Sequence, residues 1–225
     1  MTSQLRLRYQ PHHSLPFFRH NSNKIKCHLK VKFMENPKEN MLMINKTYTI
    51  VYTASGVALF FVLSYLLLIP IGTSPIFIDL GYIVLFVFAL KFGSLSGLMV
   101  GFLGHTLKDI LIFGSIIGSW APVTGLLGLL LGLFAKYMLK NIDNSKTFNA
   151  FNSIIIILSN AVCWIGIAPL YSTIVLGVDY RMMLTFGMFA FISNSLTMLI
   201  LGQFLYWRLV KLWPAFSMGA NNHEN

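Results

Sequence analysis

Charge is what this chain of 225 residues has least of. Asp and Glu number only 7, and the four charged types together make up 11% of the residues, against about 25% in soluble domains. That is too little polar surface to clothe a water-soluble globule. Cysteine is scarcer still: Cys27 lies in a basic leader and Cys163 in an apolar run, so neither a disulfide framework nor a metal-ligand spacing exists. Catalytic signatures are missing as well. There is no G-x-x-x-x-G-K-[ST] phosphate loop, no H-E-x-x-H pair and no C-x-x-C, which excludes ATP hydrolysis and zinc chemistry by those routes. Gly93–Gly97 has the outline of a nucleophile elbow, but its middle residue is Leu95 where a Ser is needed. No catalytic residue, cofactor or metal is expected.

What the chain does have is apolar length, with 56% of residues hydrophobic. Six apolar runs can be drawn at about 48–69, 76–92, 95–113, 119–139, 151–176 and 183–207, each near the roughly 20 residues that cross a hydrocarbon core. The second and third are parted only by Lys91-Phe92-Gly93-Ser94. One helix over both would run about 57 Å at 1.5 Å per residue, too long for one crossing, so two helices and a tight turn are expected. The fold class is therefore an all-α membrane protein, a compact bundle of six transmembrane helices. Positive charge in the short connections orients it. Lys91, Lys136, Lys140, Lys146, Arg208 and Lys211 fall on one side and only Arg181 on the other, which predicts that both termini are cytoplasmic.

The net charge of +10 is concentrated at the start. Residues 1–47 hold nine Lys or Arg against Glu35 and Glu39, or +7, while the other 178 hold eight against five, or +3. Because the membrane body is nearly balanced, no nucleic-acid partner is expected. Residues 1–33 carry no acid; they read either as a transit-peptide-like composition or as a start assigned too early, with Met34, Met41 or Met43 the true initiator. The organisation expected is a disordered basic tail over 1–47, a transmembrane domain over 48–213 and a short cytoplasmic tail over 214–225.

Glycines repeat at 93, 97 and 101 and again at 125, 128 and 132, a spacing that lets helices approach closely. The unusual segment is GFLGHTLKDILIFGS, residues 101–115, where His105, Lys108 and Asp109 interrupt an apolar run. A charge at a bilayer centre costs roughly 2.5–3.5 kcal/mol on the insertion scale. These three lie at i, i+3 and i+4 on one helical face, so they either face a cavity open to the outside or form a Lys108–Asp109 pair neutralised within the bundle. Asn160 and Asn194 fall near the middle of the last two spans, as interhelical glue or as ligand contacts. Trp120, beside Tyr82 and Trp164 in a compact bundle, is either an interfacial anchor or a platform for a planar ligand.

Taken together, FGSLSGLMVGFLGHTLKDILIFGS, the following S-W and G-L-L-G-L-L-L-G-L-F, N-A-V-C-W-I-G-I-A-P-L at 160–170 and I-S-N at 192–194 resemble the substrate-binding S components of energy-coupling factor (ECF) vitamin transporters, riboflavin-type branch. The resemblance covers about residues 48–210. It implies a multi-pass protein of a prokaryotic plasma membrane that binds a vitamin from outside: riboflavin first, hydroxymethylpyrimidine as a thiamine precursor next. It also implies docking on a transmembrane coupling subunit driven by two cytoplasmic ATPases, through a small-residue face that Ala54 and Ala58 match. The substrate-binding residues expected are His105, Lys108, Asp109, Trp120, Tyr82, Asn160 and Asn194. The chain departs from its relatives at Gly81, where they often carry Gln, and at Ser172, where they often carry an acid. Two other classes compete: an intramembrane enzyme using His105 and Asp109 as a base pair, and a structural membrane protein without transport activity.

The basic leader generates a test. Intact-mass measurement of the natively expressed protein is expected to show a start at Met34, Met41 or Met43. A mass beginning at Met1, with uptake lost when residues 2–33 are deleted, would oppose it.

Overall fold

The computed structural model describes residues 37–70, 77–114, 120–139 and 145–212. The expected leader up to residue 36, with the candidate initiator Met34, and the C-terminal tail 214–225 lie outside the described residues. The chain clusters into two units, Met1–Thr47 and Tyr48–Asn225, and the packing below is that of the second.

The described residues are almost entirely helical. Helix α1 (Pro37–Leu66) begins within the segment expected as tail and leads to two three-residue strands, β1 (Leu68–Pro70) and β2 (Phe77–Asp79). The strands pair antiparallel, with Ile69 opposite Ile78, a ribbon that the apolar pattern does not announce. Next come α2 (Gly81–Phe92), α3 (Ser94–Phe113), α4 (Trp120–Leu133) and the short α5 (Ala135–Leu139). Helix α6 (Ser145–Asn160) runs through a π-helical turn (Ala161–Ile167) into α7 (Ala168–Leu176). Helix α8 (Tyr180–Leu196) runs through a second π turn (Thr197–Gly202) into α9 (Gln203–Leu212).

Four of these stretches are long and apolar enough to cross a bilayer: Thr47–Leu66, Ser94–Ile112, Ala150–Leu176 and Tyr180–Leu212. Gly81–Phe92 and Trp120–Leu133 are shorter apolar helices. The break between α2 and α3 falls where a single helix would have been too long. It is made by Gly93, whose φ of +85° is accessible to glycine at little cost. The fourth run is not one helix over 119–139, since it is interrupted at Phe134 between α4 and α5.

Around the apolar core of the bundle, which includes Leu85, Phe86, Leu127 and Trp164, one helix stands out by burying charge. On α3 the aliphatic and aromatic residues Leu95, Met99, Phe102, Leu103, Leu107 and Leu111 are exposed, while His105, Lys108 and Asp109 are buried. Such an outer surface suits lipid, where apolar side chains lose nothing by exposure. The glycines hold α3 against α4. A Cβ on Gly97 would strike the carbonyl of Gly128, and one on Gly101 would strike that of Thr124. Gly132 sits in the same way against the backbone of Ser94. Backbone lies on backbone along this seam, so the spacing read as a packing face is one. Gly93 is the exception: a Cβ there meets nothing within 4 Å.

The first π turn has a local cause. Pro169 has no N–H and its ring crowds the carbonyl four residues earlier, so the helix widens ahead of it. Across from that turn Gly187 on α8 leaves no room for a Cβ beside the carbonyl of Trp164, which seats the Trp164 turn against α8.

Gly97→Val is expected to cost about 1–3 kcal/mol, the range for forcing extra carbon into a filled core, read as a lower unfolding midpoint in detergent. Gly166→Ala, where a Cβ meets nothing within 4 Å, should leave the midpoint unchanged or slightly raised. Equal stability of Gly97→Val and the parent chain would contradict the seam.

Candidate functional site

Ionisable groups in an apolar helix need partners or water, and the partner of Lys108 is not its neighbour in sequence. Lys108 Nζ lies 3.0 Å from Asp79 Oδ2. Consecutive residues on a helix point in different directions, so Lys108 reaches the start of α2 while Asp109 turns to His105. The expectation that Lys108 and Asp109 neutralise each other is corrected: Asp79 carries that role. Its other oxygen, Oδ1, accepts from Ser64 Oγ on α1 at 2.6 Å and from the Gly81 backbone N–H at 2.8 Å. Both carboxylate oxygens are thus occupied, and three segments meet at one side chain that is 3% exposed. Gly81 is required there, because a Cβ would run into Ser64 Oγ.

Asp79 has a signal of its own in the sequence, although it lies inside an apolar run. It is the single acid within 76–92, and Asp is favoured just ahead of a helix because its oxygen can accept a free backbone N–H.

A second network is centred on Thr124. Its Oγ1 lies 2.8 Å from His105 Nδ1 and 3.1 Å from the Tyr82 hydroxyl, and 2.9 Å from the Trp120 carbonyl, to which it can only donate. His105 Nε2 faces Asp109 Oδ1 at 3.5 Å. Aromatic rings surround this chain of polar groups. Phe60 packs on Tyr82 and His105 at centroid distances of 5.9 and 6.3 Å. Trp164 meets Tyr82 edge to face at 6.3 Å and Trp120 at 5.6 Å. Edge-to-face rings at these separations add about 0.5–1.5 kcal/mol each beyond burial.

The structure therefore brings together His105, Asp109, Tyr82 and Trp120, with Lys108 one step away through Asp79. Thr124 and Phe60 join them, and neither stands out in the sequence: a lone Thr and a lone Phe in apolar helices have no distinguishing pattern. Asn160 and Asn194 are buried as well. The Asn160 amide donates to the Ile156 carbonyl at 2.9 Å and toward the Met198 sulfur at 3.6 Å. Among the described residues no hydrogen bond joins either Asn to the His105 network, and no three His, Cys, Asp or Glu side chains converge as a metal site needs. Ala54 and Ala58 are exposed on α1, while Gly56 between them is buried, and a Cβ there would strike Phe88 and Val100.

Two buried atoms near the network are left over. Among the described residues, Asp109 Oδ2 and Trp164 Nε1 have no hydrogen-bond partner, one a strong acceptor and the other a donor.

Residues 44–211 match the profile of the family described as ECF-type riboflavin transporter, S component. A "UPF0397 protein" of Lactococcus lactis subsp. cremoris (strain NZ9000) is 35% identical over 173 residues, 76% of this chain and 92% of that protein. Another of that description from Clostridium perfringens (strain SM101 / Type A) is 34% identical over 170 residues, 75% of this chain and 90% of its own. One from Lactobacillus helveticus (strain DPC 4571) is 36% identical over 152 residues, 67% and 82%. No solved structure matches the chain.

Removing one partner of a buried ion pair leaves an uncompensated charge and costs about 3–5 kcal/mol. Lys108→Met and Asp79→Asn should each destabilise the protein in detergent on that scale, and the double variant should lose clearly less than the sum. A cycle pairing Lys108→Met with Asp109→Asn should show the smaller coupling. Stronger coupling to Asp109 than to Asp79 would return the ion pair to the sequence neighbours.

Proposed function

This chain belongs to the S-component family of ECF-type riboflavin transporters, and on that premise we propose that its His105–Thr124–Tyr82 network is where substrate is held. As an S component it is a multi-pass membrane protein of a bacterial importer, captures substrate for vitamin uptake and is a transport protein, not an enzyme. The reading of His105 and Asp109 as a catalytic base pair, and that of a structural protein without transport activity, fall with it.

One observation carries the assignment of the site: polar groups that an apolar bundle would exclude gather with Tyr82, Trp120 and Trp164 around the Thr124 hydroxyl. Flat rings beside directional hydrogen-bonding groups suit a heteroaromatic vitamin. A riboflavin-like molecule is the first reading. A single-ring pyrimidine is the second, favoured by the close edge-to-face packing of Trp164 on both Trp120 and Tyr82. The six apolar helices run with both termini in the cytoplasm, as the positive connections require, and substrate enters from the opposite side.

The partners are the transmembrane coupling subunit and the two cytoplasmic ATPases of the ECF module. Ala54 and Ala58 form the docking face. Both are exposed, and small side chains let a partner helix approach closely.

Titration calorimetry on the purified protein should register riboflavin or a hydroxymethylpyrimidine, and mass spectrometry should find the same ligand after native purification. Lys108→Met should weaken binding at least about tenfold, or 1.4 kcal/mol. Ala58→Trp should keep binding yet lose uptake and co-purification with the coupling subunit. Normal uptake by Ala58→Trp would remove the docking face, and binding of neither ligand class would remove the substrate reading.

A further inference from the structure

The two carboxylates buried among the described residues, Asp79 and Asp109, are not equivalent. Asp79 is complete: Ser64 and Gly81 donate to one oxygen and Lys108 to the other. Asp109 is 3% exposed, and its Oδ2 receives nothing among the described residues.

Rearranging hydrogens within the network does not repair this. Thr124 has one hydroxyl hydrogen for two acceptors. If it goes to the Trp120 carbonyl, His105 Nδ1 carries the ring hydrogen toward Thr124, and Nε2 turns a lone pair to Asp109 Oδ1. If it goes to Nδ1, the hydrogen on Nε2 serves Oδ1. In either arrangement Oδ2 is left without a donor among the described residues. A buried acceptor without a donor costs more than an ordinary hydrogen bond contributes, so a group that brings a hydrogen would be bound with advantage here.

We propose that the substrate brings it: a planar heterocycle donates a ring or exocyclic N–H to Asp109 Oδ2, and this contact sets specificity. The proposal rests on the substrate-site reading above and adds the polarity of the recognised edge. Since Asp79 and Lys108 offset each other, Asp109 is left, among the described residues, with His105 and no Lys or Arg at salt-bridge distance. Ligands with a carboxylate or phosphate on that edge are therefore disfavoured, and ligands whose edge only accepts are rejected. Tyr82, Trp120 and Trp164 favour a flat molecule over an aliphatic amine.

The test uses matched probes on the full chain in detergent: riboflavin against its N3-methyl derivative, and a 4-amino-5-hydroxymethylpyrimidine against its 4-dimethylamino analogue. For whichever parent binds, methylation should weaken wild-type affinity at least about tenfold. The isosteric Asp109→Asn should cut that penalty to a few-fold, and Asp109→Leu should abolish it. A wild-type penalty under about twofold, or the same penalty in Asp109→Asn, overturns the donor-edge proposal and leaves the substrate-site reading standing. Binding of neither parent overturns both.

Discussion

The Lys108–Asp79 ion pair is the interaction on which the interior of this protein turns. A charge in a bilayer is tolerated only where it is paired or wet, and this pair, at 3.0 Å, is supported by donors from Ser64 and Gly81 that use the remaining acceptor capacity. Buried ion pairs add stability only when the geometry is good and the leftover lone pairs are satisfied; both conditions hold here. Because Ser64, Asp79 and Lys108 come from α1, from the entry to α2 and from α3, the pair also sets where those three helices meet.

From that junction the rest of the polar interior follows by contact. The glycine seam presses α3 onto α4 so closely that Gly101 lies against the carbonyl of Thr124. One turn further along α3, His105 then reaches the Thr124 hydroxyl. A β-carbon at Gly101 would push that hydroxyl away, so residues with no chemistry of their own place the residues that have it. The widened turn ahead of Pro169 and the glycine at 187 do the same for Trp164, whose indole closes the aromatic side of the network.

A capture subunit needs this division of labour. Its outer surface must be apolar for lipid and, in one place, small enough for a partner helix. Its interior must offer hydrogen-bonding groups that a vitamin can complete. The exposed Ala54 and Ala58 fit the first requirement. The unequal carboxylates fit the second, one serving the architecture and the other left incomplete.

Much of this was legible from the chain. Scarcity of charge and six apolar runs pointed to a helical membrane protein, because hydrocarbon admits few other ways of satisfying a backbone. His105, Lys108 and Asp109 announced themselves because ionisable groups are so costly in that setting. The G-H-x-L-K-D core and its flanking segments led to the family. The tertiary structure alone decided which charge meets which. Sequence proximity suggested Lys108 with Asp109, but a helix turns neighbours apart by about 100°, and the true partner comes from an element 29 residues earlier. The interruption at Phe134, the short ribbon before α2 and the parts played by Thr124 and Phe60 were likewise undetermined by pattern. An apolar helix in lipid has little hydrophobic periodicity to show which face turns inward, so only the packing of its neighbours assigns those side chains a place.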